Sequence, residues 1–220
     1  RQVLRSPLLR RGTLVLALLL GVGELSAAPR TIPQETADKL GQLNILYNDR
    51  ICPLQTYATD FTKKLFGKTH YEELTAEQVL AGYLFFADEW SGVPLKKQSD
   101  DRKWAIYELQ HGFSLKVFPY TSQHGVTRWY APVEEIDSLV VPAENRLLMT
   151  SYFDLLYSAV DAGNFAMANE YLDRLKDYQH KNAGSSIPSD FRLKSECIYN
   201  TIPFATILFM VCLTFALLSL

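Results

Sequence analysis

The chain has 220 residues, which leaves room for about one domain once its two apolar ends are set aside. A net charge of -2, from 24 acidic and 22 basic side chains, excludes the strong global field that recruits nucleic acid. Three cysteines, Cys52, Cys197 and Cys212, are too few and too odd in number for a disulfide framework.

The N-terminal end reads as an export segment. Arg1, Arg5, Arg10 and Arg11 precede a Leu-rich apolar run over 12–23, whose length suits the core of a signal peptide. Small residues follow at Ser26, Ala27 and Ala28. Pro29 argues against cleavage after Ala28, and Ala27 offers another site. Residues 1–28 are therefore read as a signal peptide or a signal anchor. The arginines stay on the cytoplasmic side, and the main domain, 30–200, is expected outside. A first residue of Arg reads as a processed chain or a piece of a longer one.

The exported part divides into a strand-helix-helix portion (40–92), a loop- and strand-rich portion (93–141) and a helical hairpin (147–183). The fold class expected is mostly α with short β-strands, an α+β domain. A strand over 43–47 ends at the turn signal Asn48, Asp49. Pro53 opens a helix carrying Leu54, Ala58, Phe61 and Leu65 at helical spacing, and Gly67 stops it. Thr75 with Gln78 forms a capping box for a second helix, which carries Val79, Leu80, Tyr83, Leu84 and Ala87 and ends near Trp90.

Residues 94–97 read as a short strand or an extended piece, and 113–120 and 127–130 as further extended segments around a turn at Gln123, His124 and Gly125. The helical hairpin has one stripe of Leu148, Tyr152, Leu155, Leu156 and Ala159, a turn at Gly163 and Asn164, and a second stripe of Phe165, Ala168, Leu172 and Leu175. Ser189 and Asp190 are expected to cap a last helix through Leu193, Cys197 and Ile198, continuing into 201–220. That stretch carries no charge and has the length of a transmembrane helix. Cys212 within it is expected to pack as a small hydrophobe. A Cys52–Cys197 bridge stays open as a pairing in an oxidising compartment. More protein is expected after Leu220.

Motifs for chemistry are sparse. His70, His111, His124 and His180 have no metal-ligand spacing, and neither Cys-x-x-Cys nor Cys-x-x-Cys-His occurs. There is no phosphate-cradling glycine loop and no nucleophile elbow. The adjacent carboxylates Glu72 and Glu73, Asp100 and Asp101, and Glu134 and Glu135 read as solvated surface. Tyr83, Phe85, Phe86, Trp90, Trp104, Trp129 and Tyr130 allow two readings, core packing or a flat surface for a porphyrin or a partner protein. No catalytic residue is assigned, and a membrane-anchored hydrolase has no motif behind it.

Three stretches, 43–58, 60–68 and 74–82, resemble the extracytoplasmic region of fused CcsA/ResB-type (System II) cytochrome c biogenesis proteins of Gram-negative bacteria. The positions that carry the resemblance are Tyr47, Asn48, Arg50, Pro53, Leu54, Thr56, Glu77, Gln78 and Gly82. Phe118 to Tyr120, Trp129 to Pro132, Ile198 to Asn200, and Pro203 with Phe204 fit the same pattern more loosely. The resemblance implies a cytochrome c assembly factor component on the bacterial inner membrane, its main domain facing the periplasm. Such a component supports haem delivery and attachment to apocytochrome c. Its implied partners are the inner membrane, the remaining assembly subunits or domains, and apocytochrome c, with no nucleic acid.

The family's Trp-rich haem-handling motif is absent from these residues. Haem is therefore expected only through the complete complex, and no haem ligand is carried onto this chain. The chain alone is read as non-enzymatic, at most part of a haem–apocytochrome c ligation complex. Arg50 either holds the strand-to-helix turn or contacts a haem propionate or a partner. Gly82 permits close helix approach. The other reading is a stand-alone membrane-anchored periplasmic protein-binding module with no haem role.

Overall fold

A computed structural model describes residues 29–97, 99–202 and 204–218. The expected signal peptide or anchor at 1–28 lies outside the described residues. The fold is mostly helical with two small antiparallel sheets.

The first half is built on a hairpin and three helices. Helix α1 (Gln34–Gly41) buries Ala37 and Leu40. Strand β1 (Asn44–Tyr47) pairs with β2 (Arg50–Pro53), Ile45 opposite Cys52 and Tyr47 opposite Arg50. Asn48 and Asp49 take φ of 50° and 58°, the left-handed pair that a two-residue hairpin turn needs. Pro53 closes β2 and also caps helix α2 (Leu54–Phe66), its fixed φ suiting both places. Gly67, at φ 75°, ends α2 in the left-handed conformation. Leu54, Ala58, Phe61 and Leu65 form the buried stripe of α2, which packs on helix α3 (Ala76–Phe85). The Thr75–Gln78 capping box is present at the start of α3.

Helix α3 is shorter than expected. It stops at Phe85, and Phe86 (φ −127°, ψ 44°) separates it from the single-turn helix α4 (Ala87–Ser91). The break turns Trp90 back over Gly82. A Cβ at Gly82 would stand only 2.1 Å from the indole Cε2. Trp90 is wholly buried there and donates from Nε1 to the Arg30 carbonyl at 2.8 Å.

Residues 94–97 are not a strand. They cross the end of α2, where Lys96 N donates to Leu65 O at 3.2 Å. Helix α5 (Asp100–Gln110) follows, where the sequence suggested loop and strand. It buries only Ala105 and Leu109, so it has no apolar stripe to betray it. Strands β3 (Phe118–Thr121) and β4 (Thr127–Tyr130) form the second hairpin, matching the extended segments expected around Gly125.

Helices α6 (Ala143–Asp161) and α7 (Phe165–Asn182) are the expected helical hairpin, turned at Gly163 (φ 68°) and capped by Asn164 Oδ1 on Met167 N. The buried face of α6 is Met149, Tyr152, Leu156, Ala159 and Val160. Leu148 and Leu155 stand outside it, on an exposed edge.

Helix α8 (Asp190–Thr201) packs on β2 and α2. Its expected continuation through 201–220 does not occur. Ile202 is extended (ψ 125°), the conformation that the residue before a proline prefers. Helix α9 (Phe204–Leu218) has 15 residues, about 22 Å of rise against the roughly 30 Å of a bilayer core. No helix among the described residues is long and apolar enough to cross a membrane. Cys212, expected to pack as a small hydrophobe within the apolar run, is exposed on α9 among the described residues.

Candidate functional site

The family-motif positions fall into two groups. Tyr47, Asn48, Arg50, Pro53, Leu54 and Thr56 lie on the first hairpin and the first turn of α2, while Glu77, Gln78 and Gly82 lie on α3. The hairpin group meets α8 in one polar clasp. Arg50 Nη1 donates to both oxygens of Glu196, at 2.8 and 3.0 Å. Thr56 Oγ1 donates to Glu196 Oε1 at 2.7 Å and accepts from Asn200 Nδ2 at 3.0 Å. One carboxylate on α8 thereby holds both β2 and the first turn of α2, some 140 residues away in sequence.

The clasp is half wet. The Arg50 side chain is 48% exposed, whereas Glu196 is only 19% exposed. An ion pair this open contributes about 1 kcal/mol. Charge-assisted geometry sets the orientation of α8 more than it adds stability. The Glu196 carboxylate raises the Arg50 guanidinium further above its ordinary value. Beneath the pair, burial pushes the Cys52 thiol up to about 11, with Arg50 opposing the shift. No disulfide joins Cys52 to Cys197.

The other hairpin positions serve packing. Tyr47 meets Tyr57 edge-on at 5.1 Å, and its hydroxyl pKa is raised by burial and by Asp60. Leu54 is buried, and its N–H donates to Leu43 O at 2.7 Å.

The α3 group locks the N-terminal segment. Gln78 Oε1 accepts from Thr75 N at 3.1 Å, Gln78 Nε2 donates to Ile32 O at 3.1 Å, and Thr31 Oγ1 donates to Gln78 O. Glu77 is buried, its Cγ 2.9 Å from where a Cβ on Gly41 would lie, so the glycine makes the space for that carboxylate. Burial, with the carboxylates of Glu196 and Glu77, raises the Cys197 thiol above its ordinary value.

Two residues that matter were not singled out from the sequence. Glu196 is the centre of the clasp. Gln179, wholly buried on α7, accepts from Asn44 N at 2.8 Å and donates to Asn44 O and Val117 O, each at 2.7 Å. One amide thus ties β1, the approach to β3 and the helical hairpin together. A polar residue four positions beyond Leu175, on the same apolar stripe, was the available signal.

The aromatic residues divide unevenly. Tyr83, Phe85, Phe86, Trp90, Trp129 and Tyr130 are buried. Trp104 is exposed and stacks on Tyr107 at 5.3 Å, and Tyr107 stacks on His111 at 3.9 Å. Phe113 lies parallel to His111 at 6.3 Å. The outer face of α5 is therefore a short aromatic ladder.

The four histidines lie apart on the surface. All four are exposed, His111 with its Nδ1 on Tyr107 O at 2.9 Å and His70 with its Nδ1 on Glu72 O at 3.1 Å. Among the described residues no group of three His, Cys, Asp or Glu could hold a metal ion.

No protein-family model matches the chain, and no curated protein matches it significantly.

Proposed function

We propose that the chain is the extracytoplasmic part of a cytochrome c assembly factor, held to the bacterial inner membrane by its apolar 201–220 segment and facing the periplasm. In this role it supports haem delivery and attachment to apocytochrome c within a larger complex and carries out no chemistry of its own. The observation that carries the reading is the clasp. The motif residues Arg50 and Thr56 hold Glu196 and Asn200 on α8, the helix that leads into α9. The described side chains of α9 from Thr206 onward are all exposed, and the helix is almost wholly apolar. Such a surface calls for a lipid or protein environment. A domain fixed at this junction is suited to positioning partners relative to a bilayer.

Haem enters this proposal only through the complete complex, and no residue of this chain is assigned to it. When present, haem supplies the vinyl groups to which apocytochrome cysteines become attached. The residues described here orient the domain beside that event.

A second reading, a stand-alone membrane-anchored periplasmic protein-binding module with no haem role, is favoured by the exposed ladder of Trp104, Tyr107 and Phe113. Aromatic side chains of this kind are common anchors at protein interfaces. Deleting the gene separates the two. Loss of covalently haem-stained c-type cytochromes, with apocytochrome still detected by immunoblot, supports the assembly role. Unchanged haem staining overturns it and leaves the binding module.

A further inference from the structure

We propose that the cleft between α7 and α8 binds the phosphate headgroup of an anionic phospholipid, with the first part of an acyl chain on the cleft's apolar wall. The cleft has a volume of about 550 Å³. Its polar side carries Lys176 and His180 from α7 and Lys194 from α8, against the single carboxylate of Asp190. Lys176 and His180 are one turn apart and share a helix face. Lys176 Nζ is oriented by a hydrogen bond to Gln42 Oε1 at 3.0 Å. The opposite side is apolar, formed by Pro53, Leu193 and Ile198.

An isolated phosphate would use only the cationic half of this cleft. The adjoining apolar wall fits an amphiphile, whose charge and hydrocarbon must be met side by side. Position supports the same ligand. Ile198 lies in the last turn of α8, which ends at Thr201, and the apolar helix α9 begins at Phe204, so the cleft sits at the end of α8 nearest that helix in sequence. Lysines at that level attract anionic headgroups. This placement rests on the reading that the 201–220 segment is embedded in a membrane.

The test uses the full chain purified in detergent, presented with phosphatidylglycerol and phosphatidylcholine together, and retained lipid measured by native mass spectrometry. The expected result is selective retention of phosphatidylglycerol, reduced at least ~tenfold by Lys176→Gln with Lys194→Gln. Lys181→Gln, outside the cleft, should leave retention unchanged. Equal retention of the two lipids, or equal phosphatidylglycerol retention by the double variant, overturns the proposal. Displacement of the lipid by millimolar inorganic phosphate also overturns it, in favour of a free-anion site. Carbonate extraction of chain reconstituted in vesicles is read separately. A chain that resists extraction yet shows no lipid preference contradicts the cleft site alone, whereas an extracted chain contradicts the membrane anchor on which the placement rests.

Discussion

Gln179 is wholly buried, and its amide satisfies backbone groups on two segments more than sixty residues apart from it in sequence. Gln179→Leu keeps most of the volume but leaves Asn44 N, Asn44 O and Val117 O without partners. The expected loss is about 2–4 kcal/mol, seen as a lower urea midpoint by tryptophan fluorescence. Gly82 is constrained by packing. The methyl group of Gly82→Ala would collide with the Trp90 indole, so Trp90 must leave its pocket. The expected cost is about 1–3 kcal/mol, with a shifted tryptophan emission.

Cys52 makes stability depend on pH. Burial raises its thiol from 9.0 to about 11. Between those values the unfolded chain has lost the proton that the folded chain keeps. Stability is therefore full below about pH 9 and falls as pH rises towards 11, by about 2–3 kcal/mol for this group. Tyr57 and Tyr178, both raised to about 12, extend the decline to higher pH. Cys52→Ala should lessen the decline between pH 9 and 11, where Cys197 from pH 9 and the tyrosines from pH 10 still contribute, and leave the later part in place in urea titrations.

The clasp belongs to the scale of elements, since it sets how α8 lies against the hairpin and α2. Arg50→Ala and Glu196→Gln should each speed hydrogen exchange in α8 while leaving α7 unchanged. A double-mutant cycle should return a coupling of about 0.5–1.5 kcal/mol. A coupling near zero would mean that packing alone seats α8.

The elements most legible in the sequence are those with local signals. Asn48 and Asp49 announced the hairpin turn, Thr75 and Gln78 the start of α3, and Gly67 the end of α2. The second strand of the first hairpin was hidden because Arg50–Pro53 is short and runs straight into a helix. Helix α5 was hidden because it lies on the surface and its two aromatic rings, Trp104 and Tyr107, face outward while only Ala105 and Leu109 are buried. Of the candidate site, Arg50 and Thr56 were legible as motif positions. Their partner Glu196 was not, because nothing local to a surface helix tells a carboxylate that will be clasped from one that will be solvated. Pro203 in the sequence marks a place for the last expected helix to bend, and α8 ends at Thr201, just before it.

For the whole molecule, a single buried core runs from Ile32 to Leu175 and unites both helical units. That continuity joins α2, on which α8 packs, to α5 and to the helical hairpin. The central claim is that this domain supports cytochrome c assembly through a fixed orientation at the membrane junction. The most direct test is covalent haem staining of c-type cytochromes in cells carrying Arg50→Glu, Glu196→Arg or both, at matched chain abundance. Each single reversal places like charges together and is predicted to lower haem staining severalfold, and the double reversal is predicted to restore it. Normal staining in both single variants would contradict the account.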